Sequence, residues 1–235
     1  MSRLISRGAL IVFEGCDRSG KSTQCKKLVE ALNNDGIKAK LWRFPDRDTA
    51  IGVMISRYLE QKCELEDHAI HLLFTANRWE AVPRMMELLS SGTTLVVDRY
   101  AYSGVAFSSA KQGLDMSWCK QPEVGLPKPD AVLFLQLTPE AASERADYGK
   151  ERYEQPEFQD RVADNYKLMT DDTWKMIDAS QTIDELHTVV RAVALEVIEK
   201  AKGQDIGQLW TSTDQEETEV DGVPRKKQCN GRGEG

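Results

Sequence analysis

No stretch of this sequence is apolar for long enough to cross a membrane. The longest such runs, Ala131 to Leu135 among them, fall far short of the roughly 20 residues a spanning helix needs. The opening segment, Met1 to Gly8, is polar with two arginines and lacks the apolar core and small-residue cleavage site of a secretory signal. Positive charge is scarce too: 31 Lys and Arg stand against 38 Asp and Glu, a formal net charge of -7. That balance argues against a general nucleic-acid binder, whose phosphate-facing surface must be cationic. It leaves room for a local basic pocket around one small phosphorylated ligand. The five cysteines (Cys16, Cys25, Cys63, Cys119, Cys229) are odd in number and scattered, so no disulfide framework is indicated. They fit reduced thiols, with the cytoplasm as the expected compartment and the nucleus or an organelle also compatible. His68 and His71 with nearby Cys63 have no fourth ligand at suitable spacing, and no zinc site is expected.

What is present reads as one α/β domain. Leu10-Ile11-Val12-Phe13 is a short apolar run that ends in a glycine-rich turn, the pattern of a parallel strand buried on both faces. Further strands are expected at residues 38–44, 94–98, 131–137 and 174–177. Helices are expected at 20–32, 49–59, 67–89, 100–111, 139–145, 157–169 and 182–202, with Asp67 as the cap of the third. Strands alternating with helices predict a parallel sheet with helices on both faces and ligands beyond the carboxyl ends of the strands. Residues 211–235 are rich in Asp, Glu, Thr, Gly and Lys and read as a disordered tail, with Arg225-Lys226-Lys227 a solvated charge run rather than a localisation signal.

Gly15-Cys16-Asp17-Arg18-Ser19-Gly20-Lys21-Ser22 fits the P-loop pattern G-x-x-x-x-G-K-[ST], followed by Thr23. Its glycines let backbone N–H groups wrap closely around phosphate, and the next helix presents its positive end to the same anion. Lys21 is expected to reach the β- and γ-phosphates, and the Ser22 hydroxyl to ligate Mg2+. Asp98, ending a buried strand, is expected to hold the magnesium shell through water. GTPase switches share the loop but usually carry an Asn-Lys-x-Asp stretch for guanine, which is missing here.

Three further stretches add to the P-loop: Phe44-Pro45-Asp46-Arg47, Asn77-Arg78-Trp79-Glu80 and Asp98-Arg99-Tyr100. In this order, with Asp17-Arg18 inside the loop, they closely resemble thymidylate kinase of the eukaryotic type, over about residues 8–210. The resemblance implies the P-loop nucleoside monophosphate kinase fold, a five-stranded parallel sheet with helices on both faces. It implies a homodimer that transfers the γ-phosphate of ATP to dTMP, giving dTDP and ADP, with no nucleic-acid or membrane partner. By that resemblance Arg18 bridges donor and acceptor phosphates, where a bidentate guanidinium does what one lysine cannot. Arg99 and Arg47 contact the acceptor phosphate, and Asp17 lies near the sugar and the reacting group. Phe74 stacks on thymine while Arg78, four residues on and on the same helix face, donates to its 4-oxo group. Phe107 excludes a 2′-hydroxyl, Ser103 and Gly104 line the same pocket, and Phe44, Tyr153 and Gln159 complete it. Residues 145–154 resemble a lid carrying Lys150 and Arg152, with Arg145 stacked on adenine and Ala179 approaching it through the backbone. A kinase for dUMP or a nucleoside, and a non-catalytic nucleotide switch, are the competing readings.

Overall fold

A computed structural model describes residues 6–137, 153 and 155–211. Five strands, β1 (Leu10–Glu14), β2 (Ala39–Arg43), β3 (Thr94–Asp98), β4 (Ala131–Gln136) and β5 (Trp174–Asp178), form one sheet in the order β2-β3-β1-β4-β5. Every pairing is parallel, with Phe13 opposite Asp98 and Glu14 opposite Phe134. The helices are α1 (Lys21–Asn34), α2 (Ala50–Leu59), α3 (Asp67–Ser90), α4 (Ala101–Ser109), α5 (Met116–Lys120), α6 (Pro156–Lys167) and α7 (Ile183–Ala201), with a 3-10 turn at Gln121–Glu123. No helix of the described residues is long and apolar enough to cross a membrane.

Alternation along β1 explains why it is apolar throughout. Leu10 and Val12 face one core with Met85 and Leu89 of α3 and Val105 of α4. Ile11 and Phe13 face the other, with Leu28 and Leu32 of α1 and Val190 and Ala194 of α7. A central strand between two helical layers has no solvent side to leave polar. A third, smaller cluster joins Ile55, Tyr58 and Leu59 of α2 to Ile70 of α3, beside Phe74 and Tyr153.

The predicted elements fall close to these bounds, with three exceptions. The cap of α3 is Glu66, not Asp67: its carboxylate accepts from the backbone of His68 at 2.9 Å and Ala69 at 3.1 Å, while Asp67 instead accepts from Lys111. The short α5 and the 3-10 turn, too brief to show a period, were not predicted. The helix predicted at 139–145 lies outside the described residues, as do the 212–235 part of the tail and all of the 145–154 lid but Tyr153. His71 is held by protein partners, with Nδ1 2.8 Å from Ser108 Oγ and Nε2 3.0 Å from the Cys119 carbonyl.

Candidate active site

The chemistry-bearing loops leave the carboxyl ends of β1 and β3, which are neighbours in the sheet, so the P-loop and Asp98 meet. Gly15 has φ 137°, and a Cβ there would stand 2.6 Å from the Leu135 carbonyl oxygen; only glycine fits. Arg18 (φ 64°) and Arg99 (φ 68°) both take the left-handed conformation that side chains usually avoid. Their backbones are thus strained where both line one cleft, the usual place for such strain.

Lys21 is buried, and its Nζ donates to the carbonyls of Gly15 at 3.0 Å and Cys16 at 2.7 Å and to Ser19 Oγ at 3.3 Å. Burial, then Arg99, brings its pKa down to about 8. Beside it, Ser22 Oγ donates to Asp98 Oδ2 at 2.5 Å, an oxygen that also accepts from Arg43 Nη2 at 3.2 Å. Asp17 pairs with Arg99, and its second oxygen accepts from Gln159 Nε2 of α6 at 3.2 Å. Burial favours a neutral Asp17, but Arg99 and Lys21 outweigh it and hold the carboxyl below its usual range. Burial raises the Cys16 thiol against the pull of Lys21, so this cysteine is not an activated thiolate.

The cleft is about 560 Å³. It is lined by Asp17, Arg18, Gly20, Lys21, Ser22 and Thr23 together with Asp98 and Arg99, and by Arg47 of the loop before α2. Phe44, Phe74, Arg78, Ser103, Gly104, Phe107 and Tyr153 line the same cleft. The aromatic wall is braced from behind: Tyr153 stacks on Phe158 at 5.2 Å, and Phe107 lies edge-on to Tyr153 at 5.7 Å and under the Arg99 guanidinium at 5.1 Å.

Some predicted residues sit elsewhere. Gln159 is outside the cleft and acts on it through Asp17 and the Tyr153 carbonyl, at 2.9 Å. Cys16 lines a second hollow of about 150 Å³ against Gln136 and Tyr166. Gly15 and Ser19 build the loop from beneath. Ala179 is buried just past β5, its N–H donating to the Gln136 carbonyl at 2.7 Å, and does not line the cleft. Arg145 lies outside the described residues.

The structure also adds residues that sequence reasoning missed. Arg43 lines the cleft and pairs with Asp98. Glu14, fully buried, accepts from the backbone N–H groups of Tyr100 at 2.9 Å and Ser103 at 3.0 Å, capping α4 from another strand. It also accepts from Ser103 Oγ and from Tyr166 Oη at 3.0 Å, so it ties the P-loop strand to α4 and α6. Asn77 accepts from Asp46 N at 2.7 Å and donates to the Asp46 carbonyl at 3.1 Å and Thr49 Oγ1 at 3.0 Å, pinning the loop that carries Arg47. The available signals were an acidic residue at the end of an apolar strand for Glu14 and the place of Asn77 in the stretch Asn77-Arg78-Trp79-Glu80; partners this distant in sequence leave no spacing from which to read their roles.

A P-loop that shares one cleft with further arginines and an aromatic wall is the arrangement of a nucleoside monophosphate kinase. The thymidylate kinase family model matches residues 13–190. Curated thymidylate kinases are 56% identical in Arabidopsis thaliana, over 88% of this chain and 78% of that protein. Those of Danio rerio and Homo sapiens are each 55% identical, over 87% of this chain and 98% of theirs. A solved Candida albicans thymidylate kinase superposes with TM-score 0.78 at 38% identity, covering 86% of this chain and 98% of that one. The chain belongs to the thymidylate kinase family, and its reaction is the ATP-dependent phosphorylation of dTMP to dTDP.

Proposed function

We propose that two groups of residues lining this cleft divide the work, with ATP phosphates on the P-loop and dTMP lying from the arginines to the aromatic wall. The observation that carries this reading is that Arg18 and Arg99 share one cavity with Phe74 and Arg78. The acceptor phosphate is already a nucleophilic anion, so the chemistry needs no strong base; it needs charge screening and in-line alignment of two anions. Arg18, projecting from a strained turn between the two nucleotides, screens the transferring group and is the main catalytic residue. Lys21 follows the donor phosphates, while Arg99 and Arg47 grip the acceptor phosphate. Asp17, held ionised, fixes Arg99 and turns toward the sugar. Phe74 offers a face to the base, Arg78 donates to its 4-oxo group, and Phe107 closes the space a 2′-hydroxyl would need. Arg145 and Ala179 are assigned to the adenine side, and residues 145–154 to a lid that excludes water.

Ser22 and Asp98 fit Mg2+: a hydroxyl and a carboxylate, both hard oxygen donors, stand 2.5 Å apart at the mouth of the phosphate loop. Bound there, the ion would neutralise phosphate charge. A homodimer is supported by exposed apolar side chains on α2 and α3, with Val53, Met54 and Leu72 each about half exposed. The cytoplasm fits the free thiols of Cys16, Cys25, Cys63 and Cys119. Residues 1–210 are assigned to the catalytic domain, and 211–235 to a C-terminal tail.

Steady-state kinetics of two variants test the division of labour. Arg18→Ala should lower kcat on the order of a thousandfold with little change in KM for dTMP, because its charge matters most in the transition state. Arg78→Ala should instead raise KM for dTMP. Unchanged kcat in the first, or unchanged KM in the second, refutes the corresponding role. Running wild type on dTMP, dUMP, dCMP and the ribonucleotide of thymine separates this acceptor from its relatives.

A further inference from the structure

Arg78 is not a loose side chain waiting for a base. Its side chain is 2% exposed, and its partner, Glu123 of the 3-10 turn, is fully buried. Nε donates to Glu123 Oε2 at 2.8 Å and Nη2 donates to Oε1, a bidentate pair. Oε1 also accepts from Thr75 Oγ1 at 2.7 Å, so the carboxylate itself is fixed. The turn is anchored to α3 a second time through Trp79 Nε1, 2.8 Å from the Pro122 carbonyl. Gly104 leaves the guanidinium its room: a Cβ there would lie 2.4 Å from Nη2 and 3.1 Å from Nη1. Nη1 is the nitrogen that Glu123 does not engage, and Arg78 lines the cleft.

We propose that Glu123 is a specificity-determining positioning residue that turns Arg78 into an oriented, charge-neutralised donor for the pyrimidine 4-oxo group. The inference rests on the assignment of Arg78 to the base. Two effects follow from the pairing. Orientation is fixed, so a carbonyl acceptor is rewarded and the amino group of a 4-amino pyrimidine, itself a donor, is rejected. Charge is cancelled at Arg78, so the phosphate is drawn to the rest of the lining, where Arg18, Lys21, Arg43, Arg47 and Arg99 outnumber Asp17 and Asp98, and the nucleotide enters in one direction.

The test is Glu123→Gln, which keeps the volume and removes the charge, assayed with dTMP and dCMP in wild-type and Arg78→Ala backgrounds. In the wild-type background, KM for dTMP should rise about tenfold or more while kcat moves little, and the dTMP-over-dCMP ratio of kcat/KM should fall. In the Arg78→Ala background the same change should do nothing further to either quantity, since Glu123 acts through Arg78. A purely structural role would lower activity on both acceptors alike and persist without Arg78; that result overturns the inference. If Glu123→Gln does not fold, Thr75→Val decides, with a smaller shift of the same kind expected and an unchanged acceptor ratio counting against. An Arg78→Ala enzyme with normal KM for dTMP would instead bring down the base assignment, a separate failure.

Discussion

At the scale of single residues, Lys21 gives the sharpest consequence of burial. With its pKa near 8 in the folded protein, against 10.5 as the ordinary value, the amine loses its proton across that interval while the unfolded chain keeps it. The unfolded state then binds more protons, so this group makes folding less favourable below about 8 and relaxes that penalty as pH rises. For ligand binding the sign is opposite. A polyphosphate needs the cation, so above pH 8 ATP must bring a proton with it. Calorimetry at pH 9 in buffers of different ionisation enthalpy should register uptake approaching one proton per ATP, and Lys21→Met should abolish it.

Elements matter here through what they hold still. The loop between β2 and α2 carries Arg47 and is exposed, yet its backbone is tied down by Asn77, a fully buried side chain on α3. Gly52 on α2 lets that loop pack close, since a Cβ there would fall 1.7 Å from the Asp46 carbonyl oxygen. Asn77→Ala leaves the Asp46 amide without its acceptor and should cost about 1–3 kcal/mol of stability, read by chemical denaturation. It should also raise KM for dTMP at unchanged kcat, because Arg47 loses its mount while the P-loop is untouched. A variant with normal KM would show that Arg47 does not need this anchor.

For the molecule as a whole, binding and assembly are the measurable quantities. A nucleotide that binds only the folded form adds about 2.7 kcal/mol at a hundred times its Kd, and for a chain of this size that is roughly 5–10 °C in Tm. dTMP should give such a shift, and Arg78→Ala should reduce it at the same dTMP concentration. On the surface, Met54→Asp puts a charge into the apolar patch of α2. If the proposed homodimer joins through this patch, sedimentation should then move from dimer toward monomer. An unchanged dimer would place the interface elsewhere.

The order of strands and helices was legible because each strand of the sheet's centre is apolar on both faces, as Leu10 to Phe13 are, and because glycines punctuate the phosphate loop. Motifs read equally well where the backbone is the ligand: Gly15, Gly20 and Lys21 stand in the order that phosphate geometry demands. The sequence by itself therefore determined the alternation of strands and helices and the phosphate loop, which depend on neighbours a few residues apart, while the reaction class was legible through the resemblance carried jointly by Asp17-Arg18, Phe44 to Arg47, Asn77 to Glu80 and Asp98 to Tyr100. Only the tertiary structure decided which side chains hold the site: Glu14 under Ser103, Arg43 on Asp98, Asn77 on Asp46 and Glu123 on Arg78, pairs 89, 55, 31 and 45 residues apart. Buried polar groups must find partners wherever the fold brings them, and no local spacing encodes which ones those will be.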